Sequence, residues 1–165
     1  MDVQFLRQVQ HALKLPNSVH ESPEVKELIQ KNTLGRNRSN HDAPYKRMAD
    51  FWYASILFAL INRLNPSDVD LIQTHSFVKI GPTDSDVKLD NDMMRIMVLV
   101  AAHHLKPNRE DHITAANVIE ICNKYACCGS LALLREFRNS GDVLLPGTIR
   151  IASLFQNLLE NQELV

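Results

Sequence analysis

"FWYASILFALI", residues 51–61, is a run of eleven consecutive uncharged, mostly apolar residues. Wound as a helix it rises only ~16 Å, against the ~30 Å of a bilayer core, which predicts a buried core helix and not a membrane span. Because the run is apolar nearly all round, neighbouring elements must cover several of its faces. A helix over 45–64, ended by "NPSD" at 65–68, is therefore the expected centre of the molecule.

Downstream, Pro66, Gly81 and Pro82 break helical periodicity, and "FVKI" and "DVKL" flank "GPTDSD" with alternating apolar and polar residues. That pattern predicts a short β-hairpin over 77–89. "LDNDMMRIMVLVAAHHL", 89–105, returns to helix, with acidic residues in the first turn and His103 and His104 in the last, both favourable to the macrodipole. Ala115, Val118, Ile119, Cys122, Tyr125 and Ala126 then mark one apolar helical face. Gly129 and Ser130 are expected to stop that helix and cap another, "LALLREFRN". Thr148 is placed to cap a last one, "IRIASLFQNLLENQ".

Upstream, Val3, Leu6, Val9 and Leu13 fall near helical spacing before Pro16, and "SPEVKELIQKNTLG" predicts a helix from its Ser22 cap and Pro23 to the Gly35 stop. The whole reads as an all-α, mostly helical single domain, 1–165: a compact bundle of about seven helices with the one short hairpin.

At 165 residues the chain is long enough to bury a core without disulfides or metal, and its 45% hydrophobic and 22% charged content is that of an ordinary globular protein. A net charge of −1 supplies no global attraction to nucleic acid or to an anionic membrane. Three cysteines, with Cys127 and Cys128 adjacent, argue against a disulfide framework, and with no signal peptide the expected location is the cytoplasm.

Chemistry concentrates in few places. "RNRSNH", 36–41, sets Arg36, Asn37 and His41 in a pattern that resembles the HEPN superfamily of all-α ribonucleases. There the arginine would hold a scissile phosphate and the histidine would move a proton of the attacking 2′-hydroxyl, without metal. Gly35, Ser39, Asn40 and Pro44 make this stretch a loop, which holds two catalytic groups poorly. The solvated basic loop is the preferred reading, and catalytic residues are expected to be none.

Four basic residues, Arg36, Arg38, Lys46 and Arg47, against Asp42 give residues 36–47 a charge of +3. Beside Tyr45, Trp52 and Tyr53 this leaves nucleic acid as a candidate partner, although the two latter aromatics fall within the core helix. Asp84, Asp86, Asp90 and Asp92 against Lys88 give an opposing segment of −3. Opposite charge on two exposed segments is a candidate interaction surface, for a larger protein or for a second copy joined head to tail as a homodimer.

His103, His104, His112, Cys122, Cys127 and Cys128 lack zinc-like spacing, so neither a metal nor a cofactor is expected. Cys127 and Cys128, read at a helix C-terminus, are expected to have raised thiol pKa values and to pack.

Two stretches carry a further likeness. "KYACCGSLALLREF", 124–137, resembles the tyrosine-alanine-x-x-glycine turn and leucine-rich helix of the small proteins associated with bacterial DNA phosphorothioation (Dnd) gene clusters. "ASILFALINRL", 54–64, is similar to the leucine-x-phenylalanine-alanine helix in their first half, and "MRIMVLVAAHHL" occupies the place of their middle helix. Order and spacing agree over about 45–137. Cys127 and Cys128 stand where those proteins tend to have asparagine and glycine, and Asn62 stands where a glycine would end the first helix. The resemblance implies a non-enzymatic accessory protein of a DNA-modification or phage-defence system that works through protein contacts, and it brings no catalytic residue with it.

Overall fold

In the computed structural model residues 3–29, 44–69, 73–83, 88–105, 113–139 and 156 are described. The central helix forms as its apolar run predicts. This helix, α3 (Met48–Ile61), buries Phe51, Trp52, Ile56, Phe58 and Ala59. Its start is fixed by Asp50, whose carboxylate accepts from the Arg47 backbone N–H at 3.0 Å and pairs with the Arg47 guanidinium at 2.7 Å. Its end is a Schellman turn: Leu64 N–H donates to the Ala59 carbonyl at 2.9 Å and Arg63 N–H to the Leu60 carbonyl at 3.1 Å. The left-handed residue of that turn is Arg63, with φ 52°, so the chain turns on a side-chain-bearing residue where glycine is usual.

α5 (Ala115–Asn139) is one continuous helix of 25 residues. The expected stop at Gly129 and Ser130 does not occur, because Gly129 serves close approach and not a turn. A Cβ built on it would lie 1.9 Å from the Ser55 carbonyl oxygen and 3.0 Å from Ala59 Cβ, so α3 and α5 cross nearly backbone to backbone. The buried serines at this crossing are satisfied within their own helices: Ser55 Oγ donates to the Phe51 carbonyl at 2.8 Å, and Ser130 Oγ to the Cys127 carbonyl at 3.0 Å. α4 (Asn91–His104) packs on α5 through Met94, Met97, Val98 and Ala101, spaced to one face, and Asp90 caps it by accepting from Met93 N–H at 2.8 Å.

The N-terminal helix expected from Val3, Leu6, Val9 and Leu13 is replaced by a single 3-10 turn, Gln4–Arg7, followed by strand β1 (His11–Pro16). The reason is a change of period. Leu13 and Leu15 are buried around exposed Lys14, an alternation of two, whereas Val9, required by a helical stripe, is 58% exposed. β2 (Thr74–Ile80) contains "FVKI" as an extended segment, but its partner is β1 and not "DVKL". The pairing is antiparallel from His11↔Ile80 to Pro16↔Thr74, with a bulge between Leu13 and Lys14. Residues 88 and 89 of the expected second arm are not strand, and 84–87 lie outside the described residues.

Two short helices join β1 to the core. α1 (Asn17–His20) follows Pro16 directly, and α2 (Pro23–Glu27) starts at the predicted Ser22 cap, whose Oγ accepts from Val25 N–H at 3.5 Å. α2 ends at Glu27, with Leu28 its C-cap, and not near Gly35, since the Leu28 carbonyl accepts from Tyr45 N–H at 3.1 Å. Of the helix expected after Thr148 only Gln156 is described, and it is helical. The molecule is thus mostly helical with a small two-stranded antiparallel sheet. Among the described residues there are five α-helices against about seven expected, and their buried side chains merge with those of the sheet in one cluster. No helix among the described residues is long and apolar enough to cross a membrane.

Candidate functional site

The outer edge of β1 faces α5, and one buried asparagine takes the place of the missing strand there. Asn123, 9% exposed, accepts from the Lys14 backbone N–H at 2.8 Å through Oδ1 and donates to the Ala12 carbonyl at 3.1 Å through Nδ2. The same Oδ1 accepts from Trp52 Nε1–H at 3.1 Å, so a single side chain joins β1, α3 and α5. The Trp52 indole N–H would otherwise be buried without a partner, at about 1–3 kcal/mol, and the two backbone groups are part-buried. The Cys127 thiol, 4.0 Å from the Lys14 carbonyl, extends the contact along the helix.

Beside this junction lies a groove of about 530 Å³. One wall is a stripe of α5 running from Ala116 through Ile119 and Asn123 to Cys127. The other is the face of β1 that carries Ala12 and Lys14, and Val69 and Thr74 complete the lining. Lys14, Lys124 and Glu120 bring charge to it, two positive against one negative. His11 also lines it, and among the described residues its Nε2 is buried without a hydrogen-bond partner.

The thiols are placed for packing. Burial pushes Cys127 up to about 12, with neighbouring Cys128 adding to the shift and Lys14 opposing it, and burial alone pushes Cys122 up further. For Cys127 the direction is the expected one, but the cause differs: it lies in mid-helix, twelve residues from the C-terminus of α5, so desolvation and not the dipole is responsible. None of the three cysteines is in a disulfide. Among the described residues no group of three or more His, Cys, Asp or Glu side chains is placed to hold a metal. His103 and His104 occupy the last turn of α4, where His104 meets the Tyr125 ring edge to face at 5.9 Å.

The residues singled out from sequence divide in two. Arg36, Asn37, Arg38, His41, Asp84 and Asp86 lie outside the described residues, as does His112. Lys46, Arg47, Asp90 and Asp92 are exposed, yet three of them already serve the fold. Arg47 pairs with Asp50, reaches the Lys88 carbonyl at 3.4 Å and is held more basic by its hydrogen bonds to Asp50 and by the charges of Asp50 and Asp90. Asp90 caps α4, and Asp92 pairs with Arg95 at 3.0 Å. The described ends of the basic and acidic segments therefore meet within one molecule. Trp52 is fully buried, which leaves it no face for stacking a base, and Tyr45 is half-buried with its ring edge-on to Phe51 at 5.5 Å.

The groove and Asn123 were not anticipated. The signal available was a carboxamide set directly beside the apolar stripe of Val118, Ile119, Cys122, Tyr125 and Ala126, where a polar group must find partners. No protein-family model, no curated protein and no solved structure matches this chain.

Proposed function

We propose that the protein is a non-enzymatic accessory module that acts through protein contacts, in a bacterial DNA-modification or phage-defence system and in the cytoplasm. One observation carries the reading. The two stretches that resemble the phosphorothioation-associated proteins meet each other: Gly129 of "KYACCGSLALLREF" lies against Ser55 and Ala59 of "ASILFALINRL". Residues that carry the likeness are thus packing residues, and a chain whose distinctive positions hold helices together offers its surface, not a reaction centre, to its surroundings. In this reading the whole of 1–165 is one unit, a bundle built around α3, with larger proteins of the same system as partners.

The test is co-expression of the full chain with the larger proteins encoded beside it, followed by size-exclusion chromatography. Co-elution in one stoichiometric complex is the expected result. Separate elution from every such protein, together with metal-independent RNA cleavage that disappears in His41→Ala, would replace the proposal with the ribonuclease.

A further inference from the structure

The geometry points to the groove between β1 and α5 as a binding site for a small organic anion, with an apolar body against the groove's apolar lining and its charged head against Lys14 and Lys124. A volume of about 530 Å³ falls in the range of small-molecule sites. An extended peptide is excluded by the junction itself: the Ala12 carbonyl and the Lys14 N–H, which an added strand would need, are already taken by Asn123. Among the described residues, what remains open is an apolar lining of Ala12, Val69, Ala116 and Ile119 beside polar side chains.

The sign of the ligand follows from those polar side chains. Among the described lining residues Lys14 and Lys124 outnumber Glu120, a formal count of +1, and the Cys127 thiol at the foot of the groove stays protonated and neutral. An ammonium donates three hydrogen bonds, so either lysine can hold a carboxylate or phosphate oxygen while keeping a protein contact. His11, with its buried Nε2 unpaired among the described residues, adds a further polar group on the same wall.

The fold also supplies its own reporter. Trp52 is the chain's one tryptophan, and its indole N–H is held by Asn123, a lining residue of the groove. The full chain is titrated with 3-phenylpropionate, phenyl phosphate and, as the control of opposite charge, 3-phenylpropylammonium, following Trp52 emission and confirming stoichiometry by calorimetry. At least one of the two anions is expected to bind one to one, and which one it is separates a carboxylate from a phosphate ligand. The ammonium probe is expected to bind at least tenfold more weakly. Lys14→Gln with Lys124→Gln should weaken the anion tenfold or more, and Ala116→Phe, at an exposed position that fills the groove without touching its charges, should abolish binding with the circular dichroism unchanged. Failure of both anions to bind, equal binding of the ammonium, or an affinity untouched by either variant would overturn the assignment.

Discussion

Gly129→Ala is the sharpest probe of how the core is assembled, because two effects of known size oppose each other there. In an ordinary helix interior the change is favourable by about 1 kcal/mol, since alanine loses less backbone entropy on folding. Here the added methyl would meet the Ser55 carbonyl oxygen at 1.9 Å, the Ser55 carbonyl carbon at 2.8 Å and Ala59 Cβ at 3.0 Å. Two of the three obstacles are backbone, so no rotamer change clears them. Restoring ordinary contact requires α3 and α5 to part by roughly 1.5 Å along the crossing, which also opens the packing of neighbouring side chains. Overpacking of this kind costs about 1–3 kcal/mol, and a clash with fixed backbone belongs at the upper end. The expected net loss is about 2 kcal/mol, or a Tm lower by roughly 4–8 °C for a chain of this length. Urea unfolding and a thermal melt measure it. A Gly129→Ala protein as stable as the parent, or more so, would mean that the two helices do not cross at this point.

Asn123→Leu should cost about 2–3 kcal/mol, chiefly because it leaves the buried Trp52 indole N–H without its partner and also frees the part-buried Lys14 N–H and Ala12 carbonyl, and Trp52 emission should shift with it; a loss under about 1 kcal/mol in urea unfolding would contradict the junction. Arg63→Gly should stabilise by about 0.5–1 kcal/mol in the same assay, since the left-handed conformation at φ 52° is strained for arginine and not for glycine. His20 stacks on His75 with ring centroids 4.2 Å apart, and burial, His75 and Lys26 hold its pKa below the ordinary 6.5 against the opposing Glu21. The folded state therefore disfavours protonation: this contribution is complete above pH 6.5 and is lost as the pH falls below it. Melts between pH 7.5 and 5.5 should show a shallower decline for His20→Gln than for the parent.

The parts of the fold that local pattern could specify were legible in the sequence. Residues 51–61 have no polar face to show to water, and α3 lies in the core. Asp90, Asp92, His103 and His104 mark the two ends of α4, and Ser22 marks the start of α2. What was not legible depends on partners distant in sequence. β1 and β2 are more than fifty residues apart along the chain, and "FVKI" carries no local sign that it pairs with "HALKLP" and not with the nearer "DVKL". Gly129 has the same ambiguity in stronger form. As a local signal glycine before serine marks the end of one helix and the start of another, and only the backbone of Ser55 on the facing helix gives it the other meaning.

The candidate site follows the same logic. A groove has no sequence period; it exists because Asn123 holds β1 against one side of α5, leaving Ala116, Ile119 and Lys124 along a wall that no element among those described fills. The charged loops, by contrast, were conspicuous in sequence because charge is a property of each residue alone. Where they are described, Arg47, Asp90 and Asp92 remain exposed but are engaged locally, at a helix start, a cap and an i,i+3 pair, so the formal +3 and −3 of the two segments overstate the field available to a partner. Recognition through those segments then draws mainly on residues other than these three, and Lys46 and Lys88, both exposed, are the described basic side chains left to contribute.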